Sequence, residues 1–458
     1  MARYPDLAAV LHCPRCARGR LTVQRAGWIC EGCSAGFPVI GDVPWLFPEP
    51  QAMLAEWRGR LGFLLIELAR EAAVLRDEAR RVAASSLTAQ RLQQLAAAYE
   101  DHGRRLKALL APLGVGDSPI AYETHLALRT RLPVDQGLTN YYVNMHRDWA
   151  WGEAENAASL AAVSTAAGEP YDWGRTLVLG AGAGRLAYDI HMQCSPELTV
   201  AADYNPLLLF AMRQIVQGGV VELYEFPIAP RSLAEHALLR ALQAPAPARP
   251  GLAIVAADAM HAPFAEGSFQ TVVTPWLIDI VDEELAHFAA RVNRWLAPGG
   301  TWINFGSLSF AQGERAQRLS LEEALECVPA AGFTLAHRHE ASIPYMQSPA
   351  SRHGRIERAL TWRAVKVRDA AAPPDHARLP EWLLRPDLPV PLSQDFQLQA
   401  LSTRIHAFLM ALIDGRRTVR DMARMLVEQR LMSAQEAEPA VRGFLARMHA
   451  DSRTRAGY

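Results

Sequence analysis

From Met53 to Leu113 apolar residues recur at helical spacing in a stretch rich in Ala, Leu, Arg and Glu, which predicts a packed pair or hairpin of long helices ending at Pro112–Gly116. Beyond Tyr171 the pattern changes to short β-rich runs at Thr176–Leu179, Leu198–Ala202, Ala253–Ala257, Phe269–Val273, Thr301–Phe305, Phe333–His337 and Leu360–Val365. Helical stretches separate most of them, so the sheet should be largely parallel. The last two runs have no helix-length segment between them and suit an antiparallel edge pair. ALQAPAPARPG, over Ala241–Gly251, reads as an inserted loop, and no repeat of solenoid period occurs. DAAAPPDHARLP, Asp369–Pro380, has the composition of a linker. After it the apolar pattern restarts, with one helix ending at Asp414-Gly415 and another beginning near Thr418, a good N-cap. The expected class is α/β, divided into 1–50, a helical segment 51–135, a sheet domain 136–368, a linker 369–380 and a helical or winged-helix domain 381–458.

Composition narrows the function. At 458 residues the chain is too long for one ordinary core, and two to four domains are expected. Half the residues are hydrophobic and the formal charge is −1, which counts against a general electrostatic claim on nucleic acid or anionic membrane. MARYPDLAAVLHCP lacks the basic start and apolar run of a signal peptide, and Leu61–Ala69 is too short to span a bilayer. No membrane partner is expected.

Cys13-Pro-Arg-Cys16 and Cys30-Glu-Gly-Cys33 are two CxxC knuckles separated by 13 residues, the pattern of a tetrahedral zinc site. A closed four-thiolate shell leaves no position for substrate, so this zinc should be structural and should supply much of the folding free energy of so small a module. Cys194 and Cys327 are isolated and read as reduced thiols, which with the metal-type thiolates suits the cytoplasm.

Candidate chemistry lies further on. Leu177-Val-Leu-Gly180-Ala-Gly182-Ala-Gly184-Arg185 is a glycine-rich turn between a strand and a helix, where backbone N–H groups can approach a cofactor. Glycines at alternate positions fit S-adenosylmethionine better than the spacing of a dinucleotide site. Asp203 and Asp258 end two later strands, where the first could accept from ribose hydroxyls and the second could reach the adenine amino group. Leu296-Ala-Pro-Gly-Gly300 is a turn before a strand.

These strings carry several resemblances. With Phe37-Pro38-Val39 and Asp42-Val43-Pro44 after the knuckles, the N-terminus resembles the zinc ribbons of the Trm-type methyltransferase-activator family. Ile413–Ala423 resembles a string of the peptide-binding PqqD-like domains. From about Tyr141 to Val367 the chain resembles the carnosine N-methyltransferase family, on His146-Arg-Asp-Trp149, Leu179-Gly-Ala-Gly-Ala-Gly-Arg-Leu186, Val273-Thr-Pro-Trp-Leu-Ile-Asp279 and Pro298-Gly-Gly-Thr-Trp-Ile-Asn-Phe-Gly306. That resemblance implies a class I methyltransferase, Rossmann-like sheet and transfer of methyl from S-adenosylmethionine to an imidazole nitrogen. It puts Arg147, and Asn144 where the family has Gln, over the cofactor's methionine carboxylate. Gly180, Gly182 and Gly184 of the turn would serve the cofactor, Asp203 its ribose, and Asp258 with Ala259 its adenine. Asp279 matches the carboxylate that holds the substrate imidazole, and Tyr345 a substrate-side tyrosine. Asp279 also precedes a helical stretch, Val281–Leu296, which it could cap instead. His146 and His191 read as structural.

One departure matters. After Gly306 the family runs into a Pro-Leu-x-Tyr-His string whose histidine helps hold a dipeptide, whereas this chain has Ser307-Leu-Ser-Phe-Ala311. The expected acceptor is therefore a small or peptide substrate containing imidazole, with a peptide held by the C-terminal domain. Methylation of RNA or protein, and a non-catalytic scaffold, are the competing readings.

Overall fold

A computed structural model describes residues 5–24, 27–114, 138–139, 141–310, 315–371, 382 and 387–454. The chain divides into two compact units, Met1–Arg378 and Leu379–Tyr458. The expected end of the first helical segment, 115–135, and the linker stretch 372–380 lie outside the described residues.

The first unit opens with a four-stranded antiparallel ribbon, β1 (Leu21–Gln24), β2 (Gly27–Cys30), β3 (Gly36–Ile40) and β4 (Val43–Pro44). A hairpin of two long helices follows, α1 (Pro50–Arg80) and α2 (Leu87–Leu109). Pro50 opens α1, where a missing N–H costs nothing, and the Ser86 side chain caps α2 by accepting from Ala89 N at 3.1 Å. Leu54, Trp57, Leu61 and Leu106 face the core, as the spacing predicts.

The short α3 (Tyr142–His146) and the helix α4 (Glu153–Ala167) lead into a seven-stranded sheet. Its strands are β5 (Arg175–Leu179), β6 (Leu198–Asp203), β9 (Leu252–Ala256), β10 (Phe269–Pro275), β11 (Leu296–Gly306), β12 (Phe333–Tyr345) and β13 (Arg355–Lys366). The helices α5 (Arg185–Gln193), α6 (Pro206–Val216), α7 (Leu285–Trp295) and α8 (Leu321–Ala330) run between them. The order is β12-β13-β11-β10-β5-β6-β9, parallel from β9 to β11, with β13 antiparallel to both neighbours. This is the class I methyltransferase sheet. Leu177, Val178, Val200, Ala201, Val272 and Val273 are fully buried, as a parallel sheet covered on both faces requires. The chain passes from β5 through β6 to β9 on one side and returns to β10 on the other. The reversal between β5 and β10 opens a crevice at the strands' carboxyl ends.

The ribbon covers the sheet's β9 edge. Trp45 pairs in parallel with Ala256, Leu46 N–H donates to Ala256 O at 2.8 Å, and Leu11 bridges Phe264. An open edge is thereby closed by another part of the same chain.

Three expectations need correction. The insertion before β9 is more than a loop: β7 (Val221–Glu225) and β8 (Leu238–Leu242) form an antiparallel hairpin, and only the turn beyond Leu242 is Pro/Ala loop. The helix expected over Val281–Leu296 is α7, which begins at Leu285 with Glu284 as its N-cap residue, so Asp279 does not cap it. Leu296–Gly300 lies within β11 as an irregular entrance, where the register against β10 shifts between Phe269 and Thr271. The second unit has three helices among the described residues, α9 (Gln394–Ala411), α10 (Val419–Glu428) and α11 (Ala434–Thr454). Thr418 caps α10 in a reciprocal box with Asp421, and Leu409, Leu412, Met422, Leu426 and Val441 form a small core. Among the described residues no helix is long and apolar enough to cross a membrane.

Candidate active site and metal centre

At the carboxyl ends of β5, β6, β9 and β10 lies a cavity of about 590 Å³. Asn144, Arg147, Gly180, Gly182, Asp203, Asp258, Ala259, Asp279 and Tyr345 all line it. Gly184 does not. Its φ of +90° starts α5, and a Cβ there would fall 2.2 Å from Met212 Sδ, so packing leaves no room for a side chain.

Neighbouring strand ends hold the turn after β5. Gly180 N and Ala181 N donate to Ala202 O at 2.9 and 3.0 Å, and Gly182 N donates to Asp203 Oδ2 at 2.7 Å. Asp203 Oδ1 accepts from Asn205 N at 2.9 Å. A carboxylate has about four acceptor sites, so Asp203 fixes the turn and retains capacity for ribose hydroxyls. Burial raises its pKa. Asp258 accepts from Met260 N at 2.9 Å and meets His261 Nδ1 at 2.8 Å.

Arg147 begins a single π-helical turn, Arg147–Trp151, directly after α3. Its Nε donates to Asp148 Oδ1 at 2.7 Å and its Nη1 to Glu155 Oε1 at 3.0 Å. Burial opposes its charge, but Asp148 and Glu155 outweigh burial and raise its pKa. Glu155 also accepts Met346 N–H at 2.8 Å, which ties α4 to the end of β12. Asp148, which stands in the His146–Trp149 string without an assigned role, and Glu155, which no motif indicated, hold Arg147 in position.

Asp279 is 4% exposed and lies beyond β10. Its Oδ2 accepts from Ser307 Oγ at 2.6 Å and Ser309 N at 2.8 Å, the residues that stand where the family's string diverges. Trp276, in the same segment, has φ +50°, a conformation that non-glycine residues adopt at a cost and that clusters at functional sites. Its ring lies 4.9 Å from that of Tyr345, which carries the Arg355 guanidinium 4.4 Å from its centroid. Trp276, Ser307, Ser309 and Arg355 all line the cavity. Trp276 stood inside a quoted string, but only the backbone reveals its strain. His146 and His191 lie outside the lining; His191 is spent on Thr199 Oγ1 and Arg249 O, each at 3.0 Å.

Residues 144–367 match the model of the carnosine N-methyltransferase family. That match joins a class I sheet to a cavity at its switch point. The chain is an S-adenosylmethionine-dependent methyltransferase. No curated protein sequence matches it. Among solved structures it is similar to the Bradyrhizobium japonicum N-methyltransferase NodS, at 12% identity and TM-score 0.31, covering 46% of this chain and 94% of that one. A Mesorhizobium loti S-adenosylmethionine-dependent methyltransferase gives 12% and 0.31, over 47% and 99%. A chain from the complex of the Haloferax volcanii Trm112 methyltransferase activator with a candidate methyltransferase gives 14% and 0.33, over 50% and 96%. The fold of the methyltransferase rests on its strand order.

The four knuckle thiols of the methyltransferase converge away from this cavity. All four Sγ atoms lie within 4.8 Å of one another, with Cys13–Cys33 and Cys16–Cys30 each at 3.7 Å. A zinc ion about 2.3 Å from each sulfur would set the sulfurs about 3.8 Å apart, so the group fits that metal. Gly32 N and Cys33 N donate to Cys30 Sγ at 3.2 and 3.3 Å, and a Cβ on Gly19 would fall 2.2 Å from that sulfur. The backbone is shaped around the cluster.

Proposed function

We propose that this enzyme methylates an imidazole nitrogen of a histidine derivative or a histidine-containing peptide. The observation that carries the reading is Asp279. Both of its hydrogen bonds among the described residues fall on Oδ2, leaving Oδ1 to accept the N–H of a neutral imidazole. A carboxylate in that role selects the tautomer, aims the other ring nitrogen's lone pair and stabilises the imidazolium that develops. Trp276 and Tyr345 offer aromatic faces to a planar ring. Bound S-adenosylmethionine supplies an electrophilic sulfonium methyl. Asn144 and Arg147 would hold its carboxylate, Gly180, Gly182 and Asp203 its ribose region, and Asp258 with Ala259 its adenine. A neutral imidazole is already a nucleophile, so the protein's contribution is mainly alignment.

The Cys13, Cys16, Cys30 and Cys33 cluster is read as a structural zinc site in a ribbon over 1–50, followed by helices over 51–135, the catalytic domain over 136–368, a linker and a PqqD-like module over 381–458. That module would hold a peptide substrate and raise its local concentration. Metal-type thiolates beside two isolated thiols support the reading of a cytoplasmic enzyme. A mass-spectrometric screen with labelled methyl donor against histidine, histidine dipeptides, histidine-containing peptides and bulk RNA tests the reading. Label on an imidazole nitrogen is expected; label on RNA alone would overturn it.

A further inference from the structure

Arg355 opens β13 directly opposite Tyr345 of β12 in the antiparallel register, so the two side chains leave the same face of the sheet. Both residues line the cavity. The guanidinium sits 4.4 Å from the Tyr345 ring centroid, and its Nε pairs at 2.7 Å with Oε1 of Glu357, two residues further along the same face. The Arg355 carbonyl accepts from Gln347 Nε2 at 2.9 Å, which fixes the backbone where β13 begins. These contacts hold the group in place and engage neither Nη1 nor Nη2. The side chain is 58% exposed, and that pair of nitrogens has no partner among the described residues.

Charge narrows what a ligand of this pair would carry. Arg147 and Arg355 are the only arginines or lysines among the residues that line the cavity. Arg147 is engaged by Asp148 and Glu155 and serves the end proposed for the cofactor, whereas Arg355 stands with Tyr345 and, through that ring, with Trp276. Two parallel N–H groups of a planar guanidinium match the two oxygens of a carboxylate. We propose that Arg355 is a specificity-determining residue for the methyl acceptor: its Nη1 and Nη2 donate to a carboxylate that the acceptor carries beside its imidazole. The acceptor is then free histidine or a C-terminal histidine, and not an internal histidine or an imidazole without a carboxylate. The inference rests on the imidazole reading of Asp279 and narrows the substrate within it.

The test is labelled-methyl transfer, at saturating S-adenosylmethionine, to histidine, glycylhistidine, the C-terminal amide of each, and histamine. Wild type, Arg355→Met and Arg355→Lys are compared as full chains, and S-adenosylhomocysteine is titrated into each. Wild type should prefer the free carboxylates over the amides and histamine by about tenfold to a hundredfold in kcat/KM, the worth of charge-assisted hydrogen bonds. Arg355→Met should lose that preference through KM with kcat changed far less, Arg355→Lys should recover part of it, and all three proteins should bind S-adenosylhomocysteine alike. Either ranking of histidine against glycylhistidine supports the inference and identifies the source of the carboxylate. Equal transfer to carboxylates and amides in wild type, or an unchanged preference in Arg355→Met, would overturn the role of Arg355 and leave the imidazole reading standing. Weakened S-adenosylhomocysteine binding in Arg355→Met would put the guanidinium at the cofactor and overturn it as well. Binding of S-adenosylhomocysteine to wild type without transfer to any of these imidazoles would remove the inference and the imidazole reading together.

Discussion

At the end of the cavity proposed for the cofactor the polar groups are fixed by the backbone of adjacent strand ends: Gly182 N on Asp203, Asn205 N on Asp203, Met260 N on Asp258. At the end proposed for the methyl acceptor the parts come from segments far apart in sequence, Asp279 after β10, Ser307 and Ser309 after β11, and Tyr345 at the end of β12. The first end is preformed by a strand–turn–helix unit and by loops that satisfy themselves locally. The second depends on side chains meeting across the sheet's far half. A methyltransferase built this way can keep one donor site while the acceptor site is rewritten, since changing the residues after Gly306 leaves the turn after β5 untouched.

The largest test of that division is Asp279→Ala. It should lower turnover at least about a hundredfold, the scale of losing a charge-stabilising group in the transition state, with affinity for S-adenosylhomocysteine within about twofold of wild type. Equal losses of turnover and cofactor affinity would mean that the two ends are one cooperative unit.

Acid should separate the ends from the other direction. His102, on α2, and His146, the last residue of α3, pack on either side of Tyr142, with ring centroids 5.2 Å apart in each pair. Burial lowers the pKa of His102 to about 4, partly opposed by Asp101, and that of His146 to about 3, aided by His102 and Arg240. Both folded-state values lie below the ordinary 6.5, so the unfolded chain binds more protons in this range. Their contribution to stability is full above pH 6.5 and is lost as pH falls through 4 and then 3. The slope between is about 1.4 kcal/mol per pH unit for each histidine. Because α3 carries Asn144 and leads into Arg147, cofactor affinity should fall with stability over that range. Denaturant midpoints and titrations at pH 7, 6 and 5 measure both; a flat profile would show these rings to be accessible to water.

The legibility of the two ends in sequence follows the same physical line. The glycine turn, Asp203 and Asp258 are read from a local strand rhythm, because a strand of known ending has only one place to put its next residue. The four thiols are legible for a similar reason, since a CxxC turn aims both sulfurs itself. Glu155 and Arg355 were not legible, and Asp148 and Trp276 stand in legible strings without their roles: these arise from tertiary meetings, such as Glu155 with Met346, that leave no periodic trace. The β7–β8 hairpin was missed because VELYE and LLRAL sit beside a Pro/Ala loop that dominates the local signal. At Gly184 the turn is legible as a glycine's φ > 0, but what its missing Cβ would strike is not.

That last point yields the finest test, within the cofactor end itself. At Gly184 an added methyl must displace Met212 and tolerate φ +90°, a combination that should cost about 2 kcal/mol of stability, less whatever the flexible thioether recovers. At Gly182 nothing lies within 4 Å of the added Cβ, and φ +58° is the ordinary left-handed well, so Ala should cost only about 1 kcal/mol. Gly182 lines the cavity and Gly184 does not, so the order should reverse for the cofactor. Gly182→Ala places a methyl at the cavity wall and should weaken S-adenosylhomocysteine the more, whereas Gly184→Ala should lower Tm the more and bind nearly as wild type. Matched effects on both measurements would mean that the turn moves as a whole, and that its rigidity, the property that makes the donor end independent of the acceptor end, is less than its hydrogen bonds imply.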